Sequence, residues 1–200
     1  MSKPLFITGI GTGIGKTLIS AVLVESLKAD YWKPIQSGDL DDSDTIKVKN
    51  LVSNSLSVFH PEAYKLTQPF SPHKSADLDG VVIDPSKLIP PKTDNQLIIE
   101  GAGGLMVPLN NSFLMIDLIQ QLNVEVVLVV KHYLGSINHT LLSLDALRNR
   151  QIPVKTIVFN GDSDQYSEDV IMAHAKCKSV AIPTINDISK AAIAAQHINL

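Results

Sequence analysis

Apolar positions along the chain fall into short continuous runs separated by stretches of helical spacing. Leu5 to Thr8, Tyr31 to Ile35, Leu97 to Glu100, Val124 to Val130 and Val154 to Phe159 are runs of strand length. Between them, the residues from the Gly-Lys-Thr turn to about Ala29, from Met115 to Leu122 and from Ile137 to Arg148 repeat their apolar side chains at the period of a helix. Unbroken apolar runs belong to strands covered on both faces. Their alternation with helices predicts an α/β fold: a mostly parallel sheet with helices on both faces. The run from Val124 to Val130, interrupted by Glu125, is far too short to cross a bilayer as a helix and reads as a buried parallel strand. Ser53 to Pro91 breaks the pattern, being rich in Ser, Pro and Asp with weak periodicity. It predicts a long excursion with one or two short helices, which either covers a site or is a solvated insertion.

Ligands of such sheets gather beyond the carboxyl ends of the strands. Lys33, Glu100, Lys131, His132 and Asn160 all stand there. The first run feeds a glycine-rich turn, Gly9-Ile10-Gly11-Thr12-Gly13-Ile14-Gly15-Lys16-Thr17, that opens the first helix. Glycines let backbone N–H groups curl around phosphate oxygens, a lysine reaches the terminal phosphates, and a threonine hydroxyl suits magnesium, so this P-loop predicts a bound nucleoside triphosphate. A chance glycine turn would need neither the strand before it nor the helix after it. The usual first glycine position is Ile10, which leaves the loop one residue longer, counted from Gly9.

Two hundred residues with 44% hydrophobic content and no internal repeat predict one domain spanning 1–200. A formal charge of -3 without a lysine and arginine stripe excludes the electrostatic footprint of a nucleic-acid binder. Cys177 is the only cysteine, so no intrachain disulfide forms, and the chain enters its first strand without a leader pattern. A cytoplasmic protein without membrane attachment is the expectation. The six histidines lack ligand-like spacing, which gives no zinc site.

Other candidate residues carry two readings each. Glu100, followed by Gly101-Ala102-Gly103-Gly104, is either the acidic residue that holds magnesium opposite a phosphate loop or an ordinary strand-end carboxylate. Asp44 shares that role or is a helix N-cap. Lys33, before the strand-ending Pro34, is a second cation for a transferring phosphoryl group or a surface lysine. The turn Leu134-Gly135-Ser136-Ile137-Asn138 either offers free amides to an anion or is a plain strand-to-helix turn capped by Ser136. Asn160-Gly161 is a turn, or presents an amide to an adenine edge.

Taken in order, the longer phosphate loop, Lys33-Pro34 with Ser37-Gly38, Ser43-Asp44, Ser71-Pro72-His73, Glu100 to Gly104 with Pro108-Leu109, Leu134 to His139, Asn160, Ile182-Pro183 and Ile198-Asn199-Leu200 resemble the dethiobiotin synthetase family over most of the chain. The resemblance implies a P-loop homodimer that makes dethiobiotin from diaminopelargonic acid, carbon dioxide and ATP with magnesium. It implies Lys33, Lys16 and Thr12 as catalytic residues, and Thr17, Asp44 and Glu100 around magnesium. ATP is expected along Gly13, Ile14, Gly15, Lys16, Thr17 and Leu18, beside Gly101, Ala102 and Gly103, with Asn160, Gly161, Pro183, Thr184 and Ile185 around adenine. Ser37 and Leu134 to Asn138, namely Leu134, Gly135, Ser136, Ile137 and Asn138, are expected on the diamine substrate. Gly13 stands where well-known members carry glutamate, and Tyr133 where some carry lysine. Neither departure removes a magnesium ligand or a phosphate-binding group. The alternative is a P-loop switch ATPase of the partitioning type, a class that usually carries an additional lysine where this chain has Gly11.

Overall fold

The computed structural model of the protein describes residues 3–198 and 200. Asn199, within the closing Ile198-Asn199-Leu200 motif, lies outside the described residues, as do Met1 and Ser2. In chain order the elements are β1 (Leu5–Gly9), α1 (Lys16–Leu27), β2 (Asp30–Trp32), β3 (Ile35–Ser37), α2 (Asp44–Leu51), β4 (Phe59–His60), β5 (Tyr64–Leu66) and α3 (Pro72–Leu78). They continue with β6 (Leu97–Gly104), α4 (Met115–Leu122), β7 (Glu125–Val130), α5 (Ser136–Asn149), β8 (Val154–Asn160), α6 (Gln165–His174), β9 (Lys178–Ile182) and α7 (Lys190–Ala194).

Seven strands make a parallel sheet in the order β4-β2-β6-β1-β7-β8-β9. The chain leaves β1 toward one edge, returns at β6, then crosses to the other side at β7, so the switch in direction falls beside β1. That is where ligands of open α/β sheets bind. Alternate side chains of the central strands serve opposite layers. Phe6, Ile99, Leu128 and Phe159 join α4, α5 and α6 on one face. Ile7, Ile98, Val129 and Val158 join α1, α2 and α7 on the other. The mostly parallel sheet with helices on both faces is the predicted architecture.

Two segments differ from expectation. Tyr31 to Ile35 is not one strand: Pro34 has no N–H for a ladder, and the chain breaks at Lys33-Pro34. β2 stays in the main sheet, whereas β3 turns out to pair with β5 in a separate two-stranded sheet. The Ser53–Pro91 excursion is accordingly less loose than its composition suggests, since it supplies the edge strand β4, the partner strand β5, α3 and a short 3-10 turn at Pro85–Lys87.

The edge by β2 is held by a buried carboxylate. Asp30 accepts from the Val58 amide at 2.8 Å, the Thr93 hydroxyl at 2.5 Å and the Asn95 side chain at 2.9 Å, and faces His60 at 3.4 Å. Burial alone would raise its pKa, but these donors outweigh it and hold the carboxyl below 3.8. Asp30→Ala is expected to lower stability by about 1–3 kcal/mol near neutral pH. Because the folded-state pKa is depressed, this contribution is present above pH 3.8 and lost as pH falls through the folded value. Urea unfolding should therefore show the gap between wild type and Asp30→Ala narrowing below about pH 4.

Candidate active site

β1 delivers the phosphate loop directly onto the N-terminus of α1. Gly13 and Gly15 have φ of 72° and 93°, and Gly15 is the N-cap of α1 with no side chain bonding the first-turn amides. Those amides stay free for an anion. The Lys16 Nζ donates to the Gly11 carbonyl at 2.8 Å, folding back across the loop. Burial pushes Lys16 down to about 8; Glu100 opposes this, Lys33 adds to it and Asp44 opposes it. Gly15 has no room for a side chain, because a Cβ there would lie 2.1 Å from Asn160 Nδ2. Gly15→Ala is expected to destabilise the fold by about 1–3 kcal/mol from the strained φ and to weaken nucleotide binding at least about tenfold by displacing the loop amides. Thermal unfolding and ADP titration read the two effects separately.

Opposite the loop lies a network of one lysine and two carboxylates. β1 and β6 are in register at Ile7 and Glu100 and again at Gly9 and Gly104, so β6 carries extra residues between these pairs. This bulge pushes Gly101, Ala102 and Gly103 out at the carboxyl end. Glu100 itself is 1% exposed. Its Oε1 accepts from Thr17 Oγ1 at 3.0 Å and from Lys33 Nζ at 3.3 Å, and its Oε2 from Tyr31 Oη at 2.9 Å. Lys33 Nζ also reaches Asp44 Oδ2 at 2.7 Å. Burial works against charging Lys33, yet Glu100 and Asp44 together hold its pKa above the ordinary lysine value. Asp44 shifts the opposite way, downward: burial opposes, and Lys33 with the Thr17 hydroxyl prevails.

Asp44 is not the N-cap of α2. Ser43 caps α2, its Oγ accepting from the Ile46 amide at 3.3 Å, which leaves the Asp44 carboxylate at the first helical position for the network. Gln36 fixes that helix start, accepting from the Asp44 amide at 3.2 Å and donating to the Gly38 carbonyl at 2.9 Å.

Loop and network face one cleft of about 680 Å³. Lys16, Thr17, Lys33, Asp44 and Glu100 line it, with Thr12, Gly13 and Gly15 on the loop side and Gly101, Ala102 and Gly103 on the bulge. Lys33 is thus no surface lysine; it is 4% exposed and shares the cleft with Lys16. Ser37 also lines it, and its buried hydroxyl has no hydrogen-bond partner among the described residues.

The remaining expected residues lie elsewhere. Ile14 is buried under the loop, and its carbonyl accepts from Asn160 Nδ2 at 2.8 Å, so that half of the Asn160 amide is already engaged. Leu18 packs on the core from α1. The Gly161 amide donates to the Ile182 carbonyl at 2.9 Å, and Thr184 Oγ1 to Asp162 Oδ1 at 2.7 Å. Asn160, Gly161, Pro183, Thr184 and Ile185 therefore form a rim at the ends of β8 and β9, outside the lining of the main cleft. Leu134 is fully exposed, and none of Leu134, Gly135, Ser136, Ile137 and Asn138 lines the cleft. Gly135, at φ 105°, is the N-cap of α5, so Ser136 is its first helical residue and not the cap. The turn adjoins a separate hollow of about 520 Å³ between the back of the phosphate loop and Lys131 to Tyr133.

Tyr31 and Gln36 belong to the site without being marked by any of its motifs. Period-two alternation puts Tyr31 on the same side as Lys33, a signal that could have found the first. Nothing local marks Gln36.

A family described as an AAA domain matches residues 3–192. The chain is 53% identical, over 90% of its length and 86% of the relative's, to an ATP-dependent dethiobiotin synthetase of Christiangramia forsetii. It is 45% identical to that of Agrobacterium fabrum over 100% of the chain and 96% of the relative, and 50% identical to that of Cytophaga hutchinsonii over 88% and 85%. Among solved structures, a ParA family ATPase of Chlorobium tepidum superposes with a TM-score of 0.55 at 15% identity, covering 96% of this chain and 89% of that one, a likeness of fold alone. With a phosphate loop, a buried lysine between two carboxylates and relatives of this similarity across nearly its whole length, the chain belongs to the ATP-dependent dethiobiotin synthetase family.

Proposed function

We propose that residues 1–200 form one ligase domain that closes the ureido ring of dethiobiotin from diaminopelargonic acid, carbon dioxide and ATP. The observation that carries this reading is Lys33, buried in the cleft of the phosphate loop and held between Asp44 and Glu100. A nucleotide switch needs the loop and the acidic residue; a second buried ammonium facing the same phosphates suits transfer to an acceptor.

Magnesium fits the donor set. Thr17, Asp44 and Glu100 offer only oxygens, the ligands this hard cation takes, and among the described residues no three acidic, His or Cys side chains converge into a closed cage. That is what is expected of an ion that keeps waters and substrate phosphates in its shell. Bound with ATP, magnesium would neutralise charge on the phosphates.

The chain's own groups do the rest. In this reading the free amides of Gly13 to Thr17 and the Lys16 ammonium hold the β- and γ-phosphates, and Asn160, Gly161, Pro183, Thr184 and Ile185 border adenine. Thr12 and the unpartnered Ser37 hydroxyl orient the diamine. A neutral substrate amine attacks carbon dioxide and loses a proton, giving a carbamate. A carbamate oxygen attacks the γ-phosphorus with loss of ADP, forming a carbamic-phosphoric anhydride, while Lys16 and Lys33 offset the growing negative charge. The second amine then attacks the carbonyl carbon and loses a proton, and phosphate leaves as the cyclic urea closes. Most of the acceleration comes from positioning and charge stabilisation.

The turn from Leu134 to Asn138 does not line its own cleft, and we assign it to the distal carboxylate of a diamine bound in the cleft of a second copy. The reading therefore includes a homodimer, and a cytoplasmic location; no described helix is long and apolar enough to cross a membrane. Incubation with diaminopelargonic acid, bicarbonate and MgATP should yield dethiobiotin by mass spectrometry, with ADP in equal amount. ATP hydrolysis indifferent to the diamine and stimulated by DNA would instead support the partitioning-type switch.

A further inference from the structure

Glu100 presents its two oxygens unequally. Oε1 faces Thr17 and Lys33, toward the cleft, whereas Oε2 is taken by the Tyr31 hydroxyl at 2.9 Å in the buried interior. Tyr31 is itself rigidly placed. It is fully buried in β2, paired in register with Ile98 on one side and Phe59 on the other, and its ring lies 6.1 Å from that of Phe59. A carboxylate rotates easily about its terminal bond, and either oxygen, or both, can serve a cation. With the phenol donor in place, a partial rotation that turned both oxygens toward the cleft would leave the buried Tyr31 hydroxyl without its acceptor, an unfavourable exchange.

We propose that Tyr31 is a positioning residue that prepares the cleft for a divalent cation, pinning Glu100 so that a single oxygen faces Thr17. This rests on the reading of Glu100 as a magnesium ligand. Magnesium demands near-ideal octahedral geometry at short range, so an oxygen fixed beforehand matters more to it than total negative charge. Groups that hold a metal ligand in place commonly change metal affinity by about 10–100-fold when removed.

The test is equilibrium binding of Mn²⁺, followed by its electron paramagnetic resonance signal, to the protein saturated with ADP. Tyr31→Phe keeps the packed ring and removes only the donor; Tyr31→Met removes the same donor if the phenylalanine variant does not fold. The expected result is Mn²⁺ affinity weakened about tenfold or more, with ADP affinity in EDTA within about twofold of wild type, since the contacts of the phosphate loop are untouched. Half-activating Mg²⁺ rises by the same factor, and kcat at saturating Mg²⁺ largely recovers. Phe59→Leu, which loosens the ring packing and leaves the phenol, should bind Mn²⁺ as wild type does. A matching loss in Phe59→Leu, or an equal loss of ADP binding in EDTA, would make the effect structural and overturn the proposal. Glu100→Gln separates the two levels. If it weakens Mn²⁺ while Tyr31→Phe does not, the proposal fails and the magnesium reading stands; if Glu100→Gln has no effect, both fail.

Discussion

Lys33→Ala is expected to lower turnover by at least about a hundredfold while leaving ADP affinity close to wild type, the signature of a group that acts on the transferring charge. The side chain reaches the cleft from the break between β2 and β3, and its ammonium stays charged because two carboxylates outweigh its burial. In the free protein it also neutralises Asp44 and Glu100. Its removal leaves these two facing each other, so divalent cations should bind the variant at least as tightly as the wild type. Loss of kcat together with retained or tightened cation binding distinguishes this from collapse of the site. Dethiobiotin formation and calorimetric titration measure the two; near-normal turnover in folded Lys33→Ala would remove the residue from the mechanism.

Lys16→Ala should be as damaging, by at least about a hundredfold, but differently distributed. In the proposed mechanism Lys16 touches the phosphates from binding through transfer, so KM for ATP is expected to rise and kcat to fall together. The pH dependence follows from burial, which holds the free side chain near 8. Below that value the ammonium is charged and can take the phosphates. Above it the free protein increasingly carries a neutral amine, so kcat/KM for ATP should decline through the region of pH 8, whereas kcat declines only at higher pH because bound phosphates favour the charged form. The kcat/KM limb should disappear in Lys16→Ala. Its persistence would assign the limb to another group.

The phosphate loop was readable because its chemistry is local: glycines at positive φ, a lysine and a threonine at fixed offsets between an apolar strand and a helix. Glu100 was readable for a similar reason, at the end of a strand and before a glycine run. The part of the chain beyond β8 was less legible. α6, β9 and α7 carry weak apolar periodicity, with Ile171, Ile182 and Ile193 among their few buried positions. The residues of β4 and β5 looked like loop because edge pairings of two or three residues leave little pattern behind. Ser43 and Gly135 took the capping roles assigned to their neighbours, since a cap depends on one backbone angle that composition does not specify.

By itself the sequence determined the parallel α/β plan and the phosphate loop, through burial periodicity and the backbone freedom of a few glycines, both properties of neighbouring residues. Only the tertiary structure decided that Lys33 lies buried between Asp44 and Glu100, that Tyr31 takes the far oxygen of a residue 69 positions away, and that the Gly135 turn stays out of the lining of the main cleft. Such matters depend on which strands become neighbours and how far each extends. A hydrogen bond is made or lost within about half an ångström, and no spacing along the chain carries that information.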